Sequence, residues 1–285
     1  MTTSSTKTRF EVTADDAGLR LDQIIPRHVG GLSRRKARAV IDLGGVFVDR
    51  ARVKVAGRQL RAGQIVEVVI GGALDRPPTT LEPVIVHVDD QIIVVDKPAG
   101  LVTAPTPESD RGDLLDQLSR KFGEVYLVHR LDMPTSGLLV FARTREANKW
   151  LGDLFKTHDV VREYRAIVVG ELAAPLTIDR PIQGKRAVTH VAPIEPLLHG
   201  TTGPATLLAV RLETGRSHQI RIHLAGIGHP VLGDRQHGGE LERQFQPRPS
   251  RLALHALTLG FAHPSPPHEK VEFEGRSPLA QLDSI

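Results

Sequence analysis

The 285-residue sequence contains no cysteine, which excludes disulfide bonds, thiolate-bound metals and cysteine nucleophiles. It also lacks any apolar stretch approaching the roughly 18 residues that a membrane-spanning helix needs. The first nine residues are polar and do not contain the apolar core of a signal peptide. These absences predict a soluble, cytoplasmic protein with no membrane partner.

Metal-binding and nucleotide-binding patterns are missing as well. No His-Glu-x-x-His set is present, and the glycine pairs at 44–45 and 71–72 are not followed by the Gly-Lys-Ser/Thr of a phosphate-binding loop. His218 and His223 lie five residues apart in a segment that resembles a strand, so they are predicted to point to opposite faces. The sequence therefore predicts no metal site.

Positive charge is concentrated near the N-terminus. Residues 16–72 hold 11 Lys/Arg and 5 Asp/Glu, whereas residues 73–285 hold 24 and 26. A basic segment beside a nearly neutral remainder is typical of a polyanion-binding module attached to a second domain. The net charge of +4 for the whole chain therefore understates how basic this segment is.

Two helices followed by short strands are predicted within the basic segment. The first helix begins near residue 18, and the second runs from Ser33, a natural N-cap, to Gly44, a natural helix end. Short strands follow at 46–48 and 65–69. The second helix carries a group of four basic side chains: Arg34, Arg35, Lys36 and Arg38.

This arrangement resembles the S4 RNA-binding domain, named after a ribosomal protein. The matching segments are R-L-D at 20–22, S-R-R-K-A at 33–37, I-D-L-G-G-V-F-V-D at 41–49 and L-R-A-G-Q-I-V-E-V at 60–68. The sequence departs from that family in predicted turns, at 49–50, where Asn-Gly is frequent, and at Gln64, where aspartate is frequent. The resemblance implies that the four basic side chains bind RNA; the alternative is a solvated basic helix without a ligand.

Four segments are predicted along the chain. Residues 1–15 are expected to be a flexible tail, and residues 16–72 the basic domain. Residues 73–82 contain two prolines and no apolar periodicity, so they are expected to form an extended linker. Residues 83–285 are expected to form a larger domain.

Strand-like runs dominate this larger domain, with helical spacing only at 111–122 and 145–157. Such a pattern is typical of a mixed, mainly antiparallel sheet. The sequence therefore predicts an α+β protein, with a small two-helix-and-strand domain preceding a larger sheet domain.

An acid, an arginine and a histidine precede one of the predicted strands. The run H-R-L-D-M-P-T-S-G at 129–137 resembles the pattern H-R-L-D-x-x-T-S-G of the RluA-type RNA pseudouridine synthases at every specified position. Further segments resemble the same family in its usual order: K-P-A-G-L at 97–101, R-E-Y-R-A at 162–166, T-G-R-S-H-Q-I-R-I-H at 214–223, G-H-P-V-L-G-D at 228–234 and L-H-A at 254–256. Arg162 stands where lysine is usual, and His237 where tyrosine is usual.

The resemblance implies that the chain converts uridine in RNA into pseudouridine. This reaction breaks the bond between the ribose and a ring nitrogen, turns the uracil and joins it again through ring carbon 5. No redox step occurs and no group is added, so neither a cofactor nor a metal is expected. Asp132 is the expected catalytic carboxylate, either as a nucleophile or as a base that removes a ribose proton.

Five further residues are given roles. Arg216 is expected to hold the catalytic carboxylate through two parallel bonds, because a carboxylate in a dry pocket needs a cationic partner. Tyr164 is expected to stack on the uracil and to transfer a proton. Arg130 is expected to insert into the RNA or to grip its backbone when the target uridine leaves its stack. His129 either orients the turn or is a satisfied structural histidine, and Leu254 packs against the base or in the core.

Ribosomal RNA of the large subunit is the first expected substrate, transfer RNA the second, and a monomer the default oligomeric state. Two other classes remain open on the sequence. One is an RNA-binding or assembly factor with an inactive pocket, which the presence of the acid, the tyrosine and the arginine disfavours. The other is a nuclease or methyltransferase, which the absence of a metal cluster and of a glycine-rich cofactor loop disfavours.

Overall fold

The computed structural model describes residues 6–42, 45–53, 55–70, 81–104, 113–199, 203–246 and 249–280. Within them, one compact unit runs to residue 70 and includes residues 104 and 113–116, and the second comprises residues 81–103 and 117–280. The predicted α+β fold, with a small N-terminal domain and a larger, mainly antiparallel sheet, is confirmed.

In its described residues, the first unit combines two α-helices with a four-stranded sheet. The elements are β1 (Thr6–Glu11), α1 (Leu21–His28), α2 (Arg34–Asp42), β2 (Val46–Val48), β3 (Ala51–Arg52) and β4 (Ile65–Ile70). The strands are antiparallel and lie in the order β1-β4-β2-β3.

Each helix of this unit buries one apolar stripe. The side chains that share this core are Leu21, Ile24, Ile25, Ala37, Val40, Ile41, Val46, Val48, Val66 and Val68. The backbone N–H of Lys36 donates to Ser33 Oγ at 3.2 Å, which is the bond that the predicted N-cap should form. The predicted helix end at Gly44 lies outside the described residues.

The predicted flexible tail over 1–15 is wrong for residues 6–11. These residues form β1, which pairs along its whole length with β4 and contributes Phe10 to the edge of the core. Phe10 also stacks on His28 at 4.3 Å, and Lys7 pairs with Glu67 at 2.9 Å. A strand with one large apolar residue gives a weak periodic signal, so its pairing with β4 determines its conformation.

The elements of the remaining chain are mostly strands. They are β5 (Val84–Val88), β6 (Ile92–Lys97), α3 (Leu114–Phe122), β7 (Tyr126–Leu127), β8 (Ser136–Ala142), α4 (Arg145–Thr157), β9 (Val161–Val169), β10 (Leu176–Asp179), β11 (Val188–His199), β12 (Gly203–Leu212), α5 (Gln219–Gly226), α6 (Gly239–Gln244), β13 (Leu254–Ala262) and β14 (Lys270–Glu274). In the described residues the strands of this list form one sheet in the order β10-β11-β12-β9-β13-β8-β6-β5, with β14 beside β13 and β7 beside β8.

Strand β8 lies inside this sheet, between β13 and β6, and begins shortly after the H-R-L-D motif. All seven of its residues are buried, and it pairs antiparallel with β6 but parallel with β13. Gly137 permits that parallel contact: it has a φ of +115°, and a Cβ there would lie 2.2 Å from the backbone oxygen of Ala256. The glycine of the motif therefore lets β13 approach β8 closely.

Helix α4 covers part of the sheet and has the bounds that its apolar spacing predicts. Thr144 caps it by accepting from the backbone N–H of Ala147 at 3.0 Å, and Ala147 and Leu151 are buried against the sheet. Helix α3 begins at Leu114, within the predicted segment 111–122, whose first two residues lie outside the described ones. Throughout the described chain, every helix is too short or too polar to cross a membrane.

The segment that contains His218 and His223 suggests a strand in the sequence, but it forms helix α5 from Gln219 onward. The turn before α5 fixes this outcome, because Gln219 Oε1 accepts from the hydroxyl of Thr214 at 2.8 Å and from the backbone N–H of Arg216 at 3.0 Å. His218 precedes the helix with a φ of +57°. Apolar residues alternate with basic ones in this short segment. Over one turn, the apolar spacing of a helix is then hard to distinguish from that of a strand.

Candidate active site

The turn that carries Asp132 is fixed by a buried lysine. Lys97 is fully buried, and its Nζ donates to the backbone oxygens of Pro98 at 3.0 Å, Leu101 at 2.8 Å and Met133 at 3.2 Å. Burial lowers the pKa of Lys97 to about 7, against the opposing influence of Asp132 and then Asp96. The K-P-A-G-L segment therefore holds the residue after Asp132 in place.

Three more hydrogen bonds to backbone oxygens hold the same turn. The hydroxyl of Thr103 donates to the backbone oxygen of Leu131 at 2.7 Å, and the backbone N–H of Gly100 donates to Met133 at 2.8 Å. The N–H of Thr135 closes the turn onto the backbone oxygen of Asp132 at 3.1 Å. The carboxylate of Asp132, whose side chain is 21% exposed, is thus presented from a rigid backbone.

The cation beside Asp132 is Arg221, and the prediction of Arg216 in that place is wrong. Arg221 Nη1 lies 3.3 Å from Asp132 Oδ2, while its Nε and Nη2 hold Asp234 at 2.9 and 2.7 Å. Arg216 lines the same cavity, but its Nε donates to the backbone oxygen of Arg186 at 3.0 Å. Because 219–226 is a helix, Arg221 comes beside Asp132 whereas Arg216 stays in the preceding turn.

Asp234 is the second carboxylate that Arg221 binds. It is buried, and although burial alone would raise its pKa, the hydrogen bonds from Arg221 and from the backbone N–H groups of His237 and Gln236 lower it. Asp234 therefore stays charged and fixes the guanidinium through two parallel bonds. Asp234 ends the G-H-P-V-L-G-D segment, and this acid was the sequence signal that could have indicated an arginine held between Asp132 and Asp234.

A cavity of about 550 Å³ opens beside Asp132. The sequence-predicted residues that line it are His129, Arg130, Asp132, Tyr164, Arg216 and Leu254. Tyr164 and Leu254 are buried in its wall, whereas Arg130 is exposed at its rim. Burial raises the pKa of Tyr164, so its hydroxyl keeps its proton at neutral pH. Residues from distant parts of the chain thus meet in one pocket of nucleotide size.

His129 supports the site from within the protein. Its Nε2 accepts from the backbone N–H of Val140 at 3.2 Å, and its ring stacks on Phe155 at 4.3 Å. Desolvation, and then the charge of Arg162, lower the pKa of His129 to about 3, so the ring is neutral. A neutral ring bonded to β8 fits the structural alternative stated for this residue. In the described residues no group of three or more possible His, Cys, Asp or Glu ligands could hold a metal ion.

The comparisons with known proteins agree with this geometry. A family model described as RNA pseudouridylate synthase matches residues 91–226, and the S4 domain model matches residues 19–66. The sequence is 33% identical to ribosomal large subunit pseudouridine synthase D of Zymomonas mobilis, over 94% of this chain and 93% of that protein. The chain belongs to the RNA pseudouridylate synthase family. It is an RluA-type RNA pseudouridine synthase with an N-terminal S4 domain.

Other relatives of this pseudouridine synthase are similar over nearly their full length. Ribosomal large subunit pseudouridine synthase D of Escherichia coli O157:H7 is 31% identical over 95% of this chain and 90% of its own. Among solved structures, human RNA pseudouridylate synthase domain containing 1 is 27% identical, with a TM-score of 0.59 over 71% of this chain and 86% of its own. Human RNA pseudouridylate synthase domain containing 4 shares the fold, with a TM-score of 0.55.

Two histidines that the sequence did not suggest as site residues lie near Asp132, one beside its carboxylate and the other bonded to the first. His218 Nε2 is 3.7 Å from Asp132 Oδ1, and its Nδ1 is 2.8 Å from His237 Nε2. His237 is the residue that stands where the family usually has tyrosine. Desolvation lowers the pKa of His237. His237, the residue that differs from the family pattern, is therefore connected to Asp132 through His218.

Three arginines of the S4 domain surround one buried acid. Asp22 is fully buried, and it accepts from Nε of Arg20 at 3.1 Å, of Arg34 at 3.2 Å and of Arg38 at 2.5 Å. Burial would raise the pKa of Asp22, but the bonds from Arg38, Arg20 and Arg34 lower it overall. The predicted residues Arg34 and Arg38 are thus fixed beside a third arginine, Arg20, which charge counting did not single out.

Proposed function

We propose that this RNA pseudouridine synthase modifies specific uridines of large-subunit ribosomal RNA, with transfer RNA as the second candidate substrate. The observation that carries the proposal is the near full-length similarity to proteins named ribosomal large subunit pseudouridine synthase D. We further propose that the enzyme acts as a monomer, since residues of a single chain line the cavity. A ribosomal substrate is consistent with a cytoplasmic location of the enzyme, which we also propose.

In the proposed reaction Asp132 is the essential carboxylate. It either attacks the ribose C1′ or removes the C2′ proton, and in both cases the bond between C1′ and ring nitrogen 1 breaks. Support comes from its rigid turn and from its contact with Arg221, which is itself held by Asp234. A charged, oriented carboxylate avoids most of the reorganisation that a flexible one would need.

The target uridine must leave its stack before Asp132 can reach its ribose. We propose that Arg130, which is exposed at the rim of the cavity, occupies the gap or grips the backbone. The extruded uracil would then stack on Tyr164, with Leu254 against the ring, and the protonated phenol could take part in a proton transfer. Arg216, at the cavity wall but not on Asp132, is proposed to contact the RNA.

The first experiment is a pseudouridine map of ribosomal and transfer RNA from cells with and without this gene, by carbodiimide labelling and primer extension. Loss of one or a few sites in large-subunit ribosomal RNA is the expected result, and each lost site should return when the wild-type gene is restored. Loss confined to transfer RNA would select the second substrate. Unchanged maps, together with no activity of the purified protein on total RNA, would contradict the proposal.

We also propose that the basic helix α2 binds RNA through Arg34, Arg35, Lys36 and Arg38. Replacing Arg34 and Arg38 together by glutamine should weaken RNA binding and reduce the slope of log affinity against log salt by about 1.4, because two fewer phosphates are neutralised and each accounts for about 0.7 counterion on single-stranded RNA. Filter binding from 50 to 400 mM KCl measures both quantities.

The Asp22→Asn variant separates arginine placement from arginine charge. It makes the domain more basic, yet it removes the common acceptor of three arginines, so we expect weaker RNA binding with an unchanged salt slope. Glu67→Gln is the matched control, because Glu67 carries the same charge in the same domain and pairs with Lys7 instead. Tighter binding by Asp22→Asn would show that charge alone sets the affinity.

A further inference from the structure

Arg162 is a buried cation in the catalytic cavity to which the described residues offer no anionic partner. Only 8% of the residue is exposed. Among the described residues, its one hydrogen bond runs from Nη2 to the backbone oxygen of Glu213 over a long 3.4 Å, and its buried Nε has no acceptor. A guanidinium has five N–H donors, so most of the hydrogen-bonding capacity of Arg162 is unused.

Arg221, in the same cavity, shows what a paired arginine looks like in this fold. Its guanidinium donates to both oxygens of Asp234, to Asp132 and to Gln236. A buried charge without such partners is strongly unfavourable unless a ligand supplies the acceptor. The difference between the two arginines therefore indicates that an oxygen-bearing ligand completes the surroundings of Arg162.

Arg162 lies beside Tyr164, on which the extruded uracil is proposed to stack. Arg162 and Tyr164 are two residues apart on β9, so both side chains leave the same face of the strand, and both line the cavity. A Cβ on Gly215 would lie 2.9 Å from Arg162 Nη1, so the glycine leaves room for the guanidinium. The ring of Phe155 lies on another side, with its centroid 5.8 Å from Cζ.

The charges of Arg162 and Asp132 act on the phenol of Tyr164 in opposite directions. Burial raises the pKa of Tyr164 most, Arg162 lowers it, and Asp132 raises it further. The pKa of Arg162 is lowered by burial and is opposed by Tyr164 alone. Because Arg162 and Tyr164 leave the same face of β9 and line one cavity, a uracil stacked on Tyr164 with its ribose toward Asp132 would direct part of its ring toward the guanidinium.

The reaction creates negative charge on that ring. When the bond between C1′ and ring nitrogen 1 breaks, its electron pair stays on the base and spreads onto the ring carbonyl oxygens. The charge disappears when C5 bonds to C1′, and the C5 proton is then released while ring nitrogen 1 takes up a proton. A donor that stabilises the oxygens only during this interval accelerates the reaction more than it strengthens binding.

We propose that Arg162 is a catalytic residue that donates N–H hydrogen bonds to a ring carbonyl oxygen of the uracil while the base is detached from the ribose. This role rests on the proposed function, because it requires a uracil extruded into the cavity. It gives the R-E-Y-R-A segment two tasks on one strand face: the tyrosine stacks on the base, and the arginine stabilises its charge.

The test measures single-turnover tritium release from [5-³H]uridine-labelled total RNA of cells that lack the gene, together with the Kd for the same RNA. Arg162→Gln should lower the rate at saturating enzyme by about 10²-fold, with Kd changed less than threefold. Arg162→Lys, which keeps the charge and restores the residue usual in the family, should recover at least a tenth of the wild-type rate. Added guanidinium chloride should partly rescue Arg162→Ala, whose cavity can accept it.

Arg211→Gln is the matched control, because Arg211 is an exposed arginine of the same sheet outside this cavity. A wild-type rate in Arg162→Gln would overturn the proposal. A defect seen only in Kd and in its salt slope would also overturn it, since that is the behaviour of a phosphate-binding arginine. Thermal melting of each variant separates these results from misfolding, and an inactive wild type on this RNA would instead contradict the proposed function.

Discussion

Replacing Asp132 by asparagine is expected to reduce pseudouridine formation by roughly 10⁴-fold or more, because the amide can act neither as a nucleophile nor as a base. The change preserves the shape of the side chain and its position in a turn that backbone contacts and Lys97 hold. The melting temperature and the affinity for RNA should therefore stay close to those of the wild type. Single-turnover tritium release and filter binding measure the two properties separately.

Asp153→Asn provides the matched control, since Asp153 loses the same charge on the exposed surface of α4, where it pairs with Lys156. Full activity in Asp132→Asn would contradict the assignment of the carboxylate. Retained RNA binding without turnover in the variant, beside an active wild type, excludes the alternative that the protein is only a binding or assembly factor.

Replacing Arg221 by methionine is expected to impair both catalysis and stability. The carboxylate of Asp132 loses its cationic contact, and the buried Asp234 loses both of its guanidinium bonds. Removing one partner of a buried ion pair destabilises a protein by about 3 kcal/mol or more. We expect a turnover at least about 10²-fold slower, which is the effect of removing one aligned electrostatic partner.

The pH dependence of this destabilisation distinguishes Asp234 from other causes. In the wild type its folded-state pKa is lowered, so its contribution to stability is present above an unfolded pKa of 3.8 and is lost as the pH falls. Without the bonds from Arg221, burial, the largest influence, should raise that pKa. The folded variant then binds more protons than the unfolded chain, and its stability falls as the pH rises. The urea midpoint of Arg221→Met should thus lie further below the wild-type value at pH 7 than at pH 4.5. A difference between the two midpoints that is smaller at pH 7 than at pH 4.5 would contradict this account.

The sequence predicts the residues of the site better than their contacts. The H-R-L-D motif, the tyrosine of β9 and Leu254 all reach one cavity, because each sits on or next to a strand whose apolar pattern is clear. The prediction that Arg216 lies beside Asp132 was wrong, because helix α5 brings Arg221 to that place instead. Spacing of basic residues cannot choose between two arginines of one motif when the conformation between them is in doubt.

Long-range contacts account for the other differences. β1 is polar in sequence, and only its pairing with β4, more than fifty residues away, makes it a strand. The gathering of Arg20, Arg34 and Arg38 around Asp22 joins two helices whose packing no local pattern specifies. Arg162 looked like a conservative replacement of lysine, and its lack of an acceptor became visible only in the cavity.

The parallel contact between β8 and β13 links the time at which the enzyme becomes competent to the order in which it is synthesised. Ser136 and Gly137 pair with His255 and Ala256, about 120 residues later. On a translating ribosome, the strand behind Asp132 therefore lacks one neighbour until nearly all of the chain has emerged. Closing so long a loop is slow compared with local folding. A nascent chain thus folds its S4 domain early, whereas the strand that follows Asp132 gains its last neighbour only near the end of translation.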